Sequence, residues 1–462
     1  NTDFNIYQDL TGVQNGVYLL TVKGFERLDN GGDNGGNAWK RWHEANGQNT
    51  GDNEIKSAFY LGRNEVLMHN VFEGALPTKL GEGSQILDGD GKYTPNDKVS
   101  AAAYFANGND YETKVYGIAV EGKLRVGIKS FEKNAGVAQW TLWSPLKLTY
   151  IGKKATDITP VLQNVTASAQ TLSEKAMYGT HKSALNTAVV NATNATTGSD
   201  VNAMFTAYAA LVKAMEDADT SIPAYVSLDS AKTALTDAIN TYSATASTTA
   251  LNAANDMQNT LTAAISAGTL NVTEALAKVN EVKVLINNLK RPAGVASDDN
   301  PLDYTALLIN PGFTDGQKGW TVEKIAGDGS TGVANNVMEG YNCDFDIYQD
   351  ITNLPEGTYK IVANGFYRYG GSELANKAFE GDSTVYNAKL YANRDSANIA
   401  SIVAVDDIAK TAGTGSWREY IDSVSVAGVK TTYYYPNDRA TAAERFESGL
   451  YVNTVYAYVD AT

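Results

Sequence analysis

The chain has 462 residues and a formal net charge of −15, with 37 Lys and Arg against 52 Asp and Glu and no basic run, which argues against nucleic acid and anionic membrane surfaces as partners. Hydrophobic residues make up 43% and no apolar stretch is long enough to span a membrane, so the chain can fill several cores. Its single cysteine, Cys343, excludes an intrachain disulfide.

Residues 1–152 read as β-structure. Apolar and polar residues alternate in FNIYQDL and GVYLLTVKGF, with Asn15-Gly16 between them as a turn signal, and again in KVYGIAV, KLRVGIKSF and LKLTYIG. Short runs separated by Gly, Asn and Asp clusters predict an antiparallel β-sandwich of jelly-roll type. Within it, Leu28 to Asn53 form a long Gly- and Asn-rich insertion that carries Trp39, Trp42 and His43. Pro95-Asn96-Asp97 stands ahead of an Ala-Ala-x-x-Phe segment, where Asn or Asp is expected to cap a turn of helix.

From Lys153 the pattern changes to a helical period. Val201, Phe205, Tyr208, Val212 and Met215 lie three and four apart, as do Leu228, Ala231, Leu235, Ala238 and Tyr242. Breaks at Tyr178-Gly179, Thr197-Gly198, Ile222-Pro223, Ser243 to Ser247 and Ala267-Gly268 predict six helices, in two consecutive three-helix bundles over 153–222 and 223–292. Thr159-Pro160 reads as an N-cap with Pro at the first helical position, and Asn271 with Glu274 as a capping box. A polar linker, 293–306, follows.

Residues 307–462 repeat the first β-region at a constant offset of 341, as from Phe4 to Phe345, Gly24 to Gly365 and Pro95 to Pro436. The first copy has no counterpart of Leu307 to Tyr341, and the second none of Lys123 to Gly152, so the 462 residues are expected to be an excerpt of a longer array. The order NPGF (Asn310 to Phe313), Trp320, IYQD, G-x-Y, GF-x-R, Pro-Asn-Asp, AAxxF, GIK and a closing WT-to-LTYIG strand resembles the jelly-roll modules found beside glycoside hydrolases and in surface glycan-utilisation proteins of gut bacteria. The helical middle is similar to the FIVAR-type bundles that space modules in bacterial surface proteins. Such modules often close on an Asp-Asn pair, where this chain has WTLWSPLKLTYIG.

Residues present in both copies, among them Tyr7 and Tyr348, Asp9 and Asp350, Arg27 and Arg368, read as scaffold. Ligand choice would lie where the copies differ. Indole faces offer flat apolar platforms to sugar rings, which makes Trp39 and Trp42, with His43, the leading glycan-binding candidates; equally, they could anchor the insertion to the sheet. Tyr433, Tyr434 and Tyr435 are the analogous cluster of the second copy, and Trp140 and Trp143, three apart on one strand, are expected to face opposite ways with one in the core. Asp88 and Asp90 supply oxygens for a structural calcium or simply shape a turn, and their spacing does not fit an EF-hand. The three histidines have no zinc-site spacing, and no nucleophile elbow, phosphate loop or dinucleotide fingerprint occurs. The expectation is a non-catalytic carbohydrate-binding array of a secreted or cell-surface bacterial protein, with polysaccharide or glycoprotein glycans and neighbouring repeats as partners. The alternatives are a stalk, adhesin or filament that binds no sugar, and an accessory region of a large glycoside hydrolase.

Overall fold

A computed structural model describes residues 3–108, 110–130, 138–380, 387–403, 411–426 and 428–460. The chain divides into two units, Asn1–Asn240 with Asn252–Leu285, and Thr241–Leu251 with Ile286–Thr462. Helices and mostly antiparallel sheets are combined, and no described helix is long and apolar enough to cross a membrane.

The first unit opens with β1 (Phe4–Thr11), β2 (Gly16–Leu28), α1 (Gly36–Glu44), β3 (Ser57–Leu61), β4 (Asn64–Leu67), β5 (His69–Asn70), β6 (Gln85–Leu87), β7 (Tyr93–Pro95), α2 (Lys98–Ala106), β8 (Glu112–Ala119), β9 (Lys123–Ser130), β10 (Gln139–Trp143) and β11 (Lys147–Gly152). One sheet runs β1-β9-β3-β4. The other is built on the long β2, whose first half is flanked by β8 and β11 and whose second half pairs with β10 and β5. β1 and β2 thus enter different sheets, and the Asn15-Gly16 turn is a crossover in place of a hairpin. Alternate residues of both sheets meet in one core: Tyr18, Leu20 and Val22 from β2, Phe59 and Leu61 from β3, Leu124 and Ile128 from β9. Each such side chain contributes roughly 1.5–3 kcal/mol by leaving water. A second cluster gathers Phe25, Ala38, Val71, Phe72, Tyr104 and Tyr111.

Five helices follow: α3 (Ala155–Ser173), α4 (Gly179–Ala195), α5 (Val201–Tyr242), α6 (Thr248–Ala267) and α7 (Val272–Leu289). Two expectations need correction. α3 begins at Ala155, so Pro160 lies inside the helix and Thr159 does not cap it. Pro223 does not end a helix either: α5 runs through it, making five helices of the expected six. An interior proline costs about 3 kcal/mol, but Ala218, Ser221, Ala224, Tyr225 and Leu228 are all buried on either side, and this packing holds the helix together. The expected box at the start of α7 is present, with Glu274 N–H donating to Asn271 Oδ1 (3.0 Å) and Asn271 N–H to Glu274 Oε2 (2.9 Å). The apolar stripe of α3, α4 and the first half of α5 shares its core with Val17 of β2 and Ile118 of β8. At that junction Arg63 Nη1 donates to Asp219 Oδ2 (2.7 Å).

The second unit holds β12 (Thr321–Ala326), β13 (Ser330–Ala334), β14 (Val337–Tyr341), β15 (Asp344–Tyr348), β16 (Gly357–Asn364), β17 (Phe366–Tyr367), α8 (Ser372–Glu380), β18 (Lys389–Ala392), β19 (Asp395–Asn398), β20 (Ala400–Ser401), β21 (Trp417–Val426), β22 (Val429–Pro436), α9 (Arg439–Glu447) and β23 (Val452–Val459). Its β16–β23 ladder matches β2–β8, β18–β19 matches β3–β4, and the parallel β17–β20 pair matches the β2–β5 contact. Enclosure differs. Leu20 and Phe25 are fully buried, whereas their counterparts Ile361 and Phe366 are only half-buried, because among the described residues β16 is paired on one edge alone.

Candidate functional site

The repeated residues form the same node twice. Arg27 Nη1 donates to Asn96 Oδ1 at 2.8 Å, and Arg368 Nη1 to Asn437 Oδ1 at 3.0 Å. Asp97 caps α2 through Ser100 N–H (2.7 Å), and Asp438 caps α9 through Thr441 N–H (2.8 Å). These backbone donors hold both carboxyls below the usual range, Asp97 chiefly through Ser84 N–H and Asp438 through Thr441 N–H. Tyr111 Oη donates to the Val71 carbonyl (2.6 Å), and Tyr451 Oη to the Ile402 carbonyl (2.7 Å). These repeated bonds hold the capped helices and the buried tyrosines in place, which supports reading the node as scaffold.

The tryptophan insertion folds as α1. Its indoles lie on one face, since positions three apart are neighbours on a helix, and both are half-buried against the Phe25–Tyr111 cluster. Trp39 stacks on His43 (centroids 4.6 Å, 20° between planes) and lies so close to Gly89 that a Cβ there would fall 2.6 Å from the ring. Trp42 packs on Phe72 with centroids 6.2 Å apart. Of the three, His43 is exposed. The double substitution Trp39→Ala with Trp42→Ala is therefore expected to lower stability by about 3–5 kcal/mol, as large-to-small core changes do. Denaturant unfolding checks this, and unchanged stability would remove the indoles from the anchoring role.

Asp88 is almost fully buried, and its Oδ1 accepts from Asp90 N–H (2.9 Å) and Lys92 N–H (2.8 Å), closing the turn. Asp90 Oδ2 lies 3.5 Å from Trp39 Nε1. Among the described residues no group of three or more His, Cys, Asp or Glu side chains is placed to hold a metal. In the second unit Tyr435 is fully buried beside Ile402, Val403 and Tyr420, Tyr433 is stacked on Tyr420 (6.3 Å) against the same cluster, and Tyr434 is half-buried.

One concave site among the described residues lies elsewhere. A cleft of about 380 Å³ opens where β1 and β10 approach, lined by Phe4, Ile6, Ser130, Gln139, Trp140, Thr141 and Trp143. Among the described residues both strands are sheet edges. Trp140 leans on Phe25 (5.3 Å) with the Arg27 guanidinium 4.5 Å over its ring, while Trp143 stacks on Phe4 (6.2 Å, 25°). The two indoles thus pack on separate cores, and both still present surface to the cleft. Trp140 and Trp143 carried the one sequence signal for this place; Phe4 and Ser130 reach it through strand pairing. The chain matches no protein-family model, no curated protein and no solved structure.

Proposed function

We propose that this protein is a non-catalytic carbohydrate-binding array of a secreted or cell-surface bacterial protein, its two β-regions being jelly-roll modules separated by helical bundles. The observation that supports this most is the β1–β10 cleft. Two indoles, two hydroxyls (Ser130, Thr141) and an amide (Gln139) converge in about 380 Å³. Aromatic faces suit the apolar faces of sugar rings, and uncharged hydroxyl and amide groups suit their hydroxyls. The two backbone donors on Asp88 Oδ1 support the turn reading of Asp88 and Asp90 over the calcium one. A second reading, a stalk that binds no sugar, draws support from the core that α3 to α5 share with Val17 and Ile118, which is what a load-bearing junction requires.

Affinity electrophoresis against a panel of soluble polysaccharides separates the two. Retention of the intact protein is expected on at least one glycan. Trp143→Ala should weaken it on the order of tenfold, the effect of losing a contact of about 1.4 kcal/mol. Thr141→Arg should block the cleft without a change in melting temperature. Absence of retention across the panel, or retention untouched by both substitutions, supports the stalk instead.

A further inference from the structure

The two β-regions close the same corner with different chemistry. In the second, β20 lies beside β17, and Asn453 of β23 ties it down: its Oδ1 accepts from Ala400 N–H (2.7 Å) while its Nδ2 donates to the Gly365 carbonyl (2.8 Å). Every group in that tie is uncharged. In the first region the matching place on β8 belongs to Thr113, whose buried Oγ1 has no hydrogen-bond partner among the described residues. The place of Ala400, beside Phe25, belongs to His69. An ionisable side chain thus stands where the other copy relies on an amide.

His69 leads into a single turn of 3-10 helix, Val71–Gly74, whose capping box joins Asn70 and Glu73 (Phe72 N–H to Asn70 Oδ1 3.1 Å, Asn70 N–H to Glu73 Oε1 2.9 Å). Both of its ring nitrogens face acceptors. Nδ1 lies 2.5 Å from Glu73 Oε2, and Nε2 3.2 Å from the Glu112 carbonyl at the start of β8. A neutral imidazole has one N–H and one lone pair, so only the imidazolium donates in both directions. Without the second proton, a lone pair is set against an oxygen. The charged groups about the ring are Glu73 on its own turn and, leading into β8, Asp110 and Glu112, whose carboxylate is paired with Lys114 (3.1 Å). The Tyr111 ring stands edge-on at 6.5 Å, and Glu26 of the adjoining β2 is engaged by the Lys56 and Ser57 amides.

The tryptophan insertion hangs on this turn. Phe72 packs on Trp42 of α1, Asn70 Nδ2 donates to Asn53 Oδ1 (3.1 Å), and Asn53 Nδ2 donates to the Gln48 carbonyl (2.7 Å) on the chain leaving α1. We propose that His69 is a proton-operated latch: as imidazolium it fastens the 71–74 turn to β8 and so seats α1, and on losing its proton it lets go of β8 and loosens the insertion. The bond to Glu73 raises His69 above its ordinary 6.5, against the pull of burial. Its stabilisation is therefore full below 6.5 and is lost as pH rises through the higher folded value. Glu73 is pushed up by burial but brought below 4.5 by the bonds from His69 and the Asn70 amide, so its share is present above 4.5 and is lost as pH falls through the lower folded value. Between these limits the latch is closed, and it opens toward alkali. The inference stands apart from the glycan reading.

The test is a pH titration of the whole 462-residue protein, read by NMR of isotope-labelled histidine at its three rings and by amide protection factors, which remove the intrinsic pH dependence of exchange. His69 is expected to hold both ring protons at neutral pH and to lose one above 6.5. Protection in 70–74 and 36–44 should fall about tenfold with the same midpoint, as loss of about 1.4 kcal/mol implies. Glu73→Gln should move that midpoint toward acid, and His69→Gln should abolish the transition. Segment 400–402 of the second region, tied by Asn453, should not respond. The proposal is overturned if the ring carries one proton at neutral pH, if protection in 70–74 is unchanged across the ring's titration, or if the fall persists with the same midpoint in His69→Gln. A parallel fall in 400–402 also overturns it, since that would be general unfolding. Should His69→Gln fail to fold, Glu73→Gln decides, because an unmoved midpoint there removes the latch.

Discussion

Phe25→Ala should destabilise the first β-region by about 3–5 kcal/mol, and Phe366→Ala, the same change at the matching position of the second, by no more than about 1–2 kcal/mol. Phe25 is fully buried and touches three rings: Phe105 at 5.6 Å, Tyr111 at 5.1 Å and Trp140 at 5.3 Å. Removing it leaves a cavity that three large side chains on separate elements cannot close together. Phe366 keeps the contacts to Phe446 (5.6 Å) and Tyr451 (5.0 Å) but is half-buried, so water fills part of the space and less surface was removed from solvent in the first place. Local unfolding free energies from native-state hydrogen exchange separate the two regions without requiring a two-state transition of the whole chain. Equal losses would mean that the second region is as tightly closed as the first.

Glu26→Ala is expected to cost about 3–5 kcal/mol, while Glu26→Gln stays close to the natural protein, a contrast that isolates hydrogen bonding from charge. Glu26 is fully buried, and its Oε2 accepts from both Lys56 N–H and Ser57 N–H at 2.9 Å, joining β2 to the start of β3. Alanine strands two buried donors; glutamine retains an acceptor. Burial raises the carboxyl above its ordinary value, although the bonds from Lys56, Ser57 and Gln139 oppose it. The folded protein therefore holds the Glu26 proton more tightly than the unfolded chain does. Stability from this group is fully present below the unfolded value near 4.5 and is lost as pH rises through the higher folded value. Glu26→Gln should flatten that decline, so its advantage over the natural residue appears only on the alkaline side. A variant that gains nothing there would show that the carboxylate is well compensated in place. The counterpart at the 341-residue offset is Tyr367, and the second region should lack this dependence.

What could be seen in the linear chain was whatever depends on local spacing or on comparison of the two copies. Arg27 with Asn96 and Arg368 with Asn437 form one bond twice, because a repeated domain repeats its joints, and both Pro-Asn-Asp caps follow from short-range backbone chemistry. Failures came where packing outweighed propensity. Pro223 reads as a break, yet buried neighbours on both sides carry the helix past it. The Gly-rich insertion reads as a loop, but Trp39 and Trp42 cover apolar surface best from a helix face, and α1 forms. The cleft was hidden for a different reason: Ile6, Ser130 and Trp143 belong to three strands, and only register brings them together. Likewise, Tyr60 and Asn5 are 55 residues apart, so nothing local hints at their bond.

At a rise of 1.5 Å per residue, the 42 residues of α5 make a rod about 63 Å long. Its first half closes a core with α3 and α4, and its second half buries Leu228, Leu235 and Ala238. Both sets of buried contacts therefore lie on one continuous helix, so Pro223 marks no linker between separately ended helices.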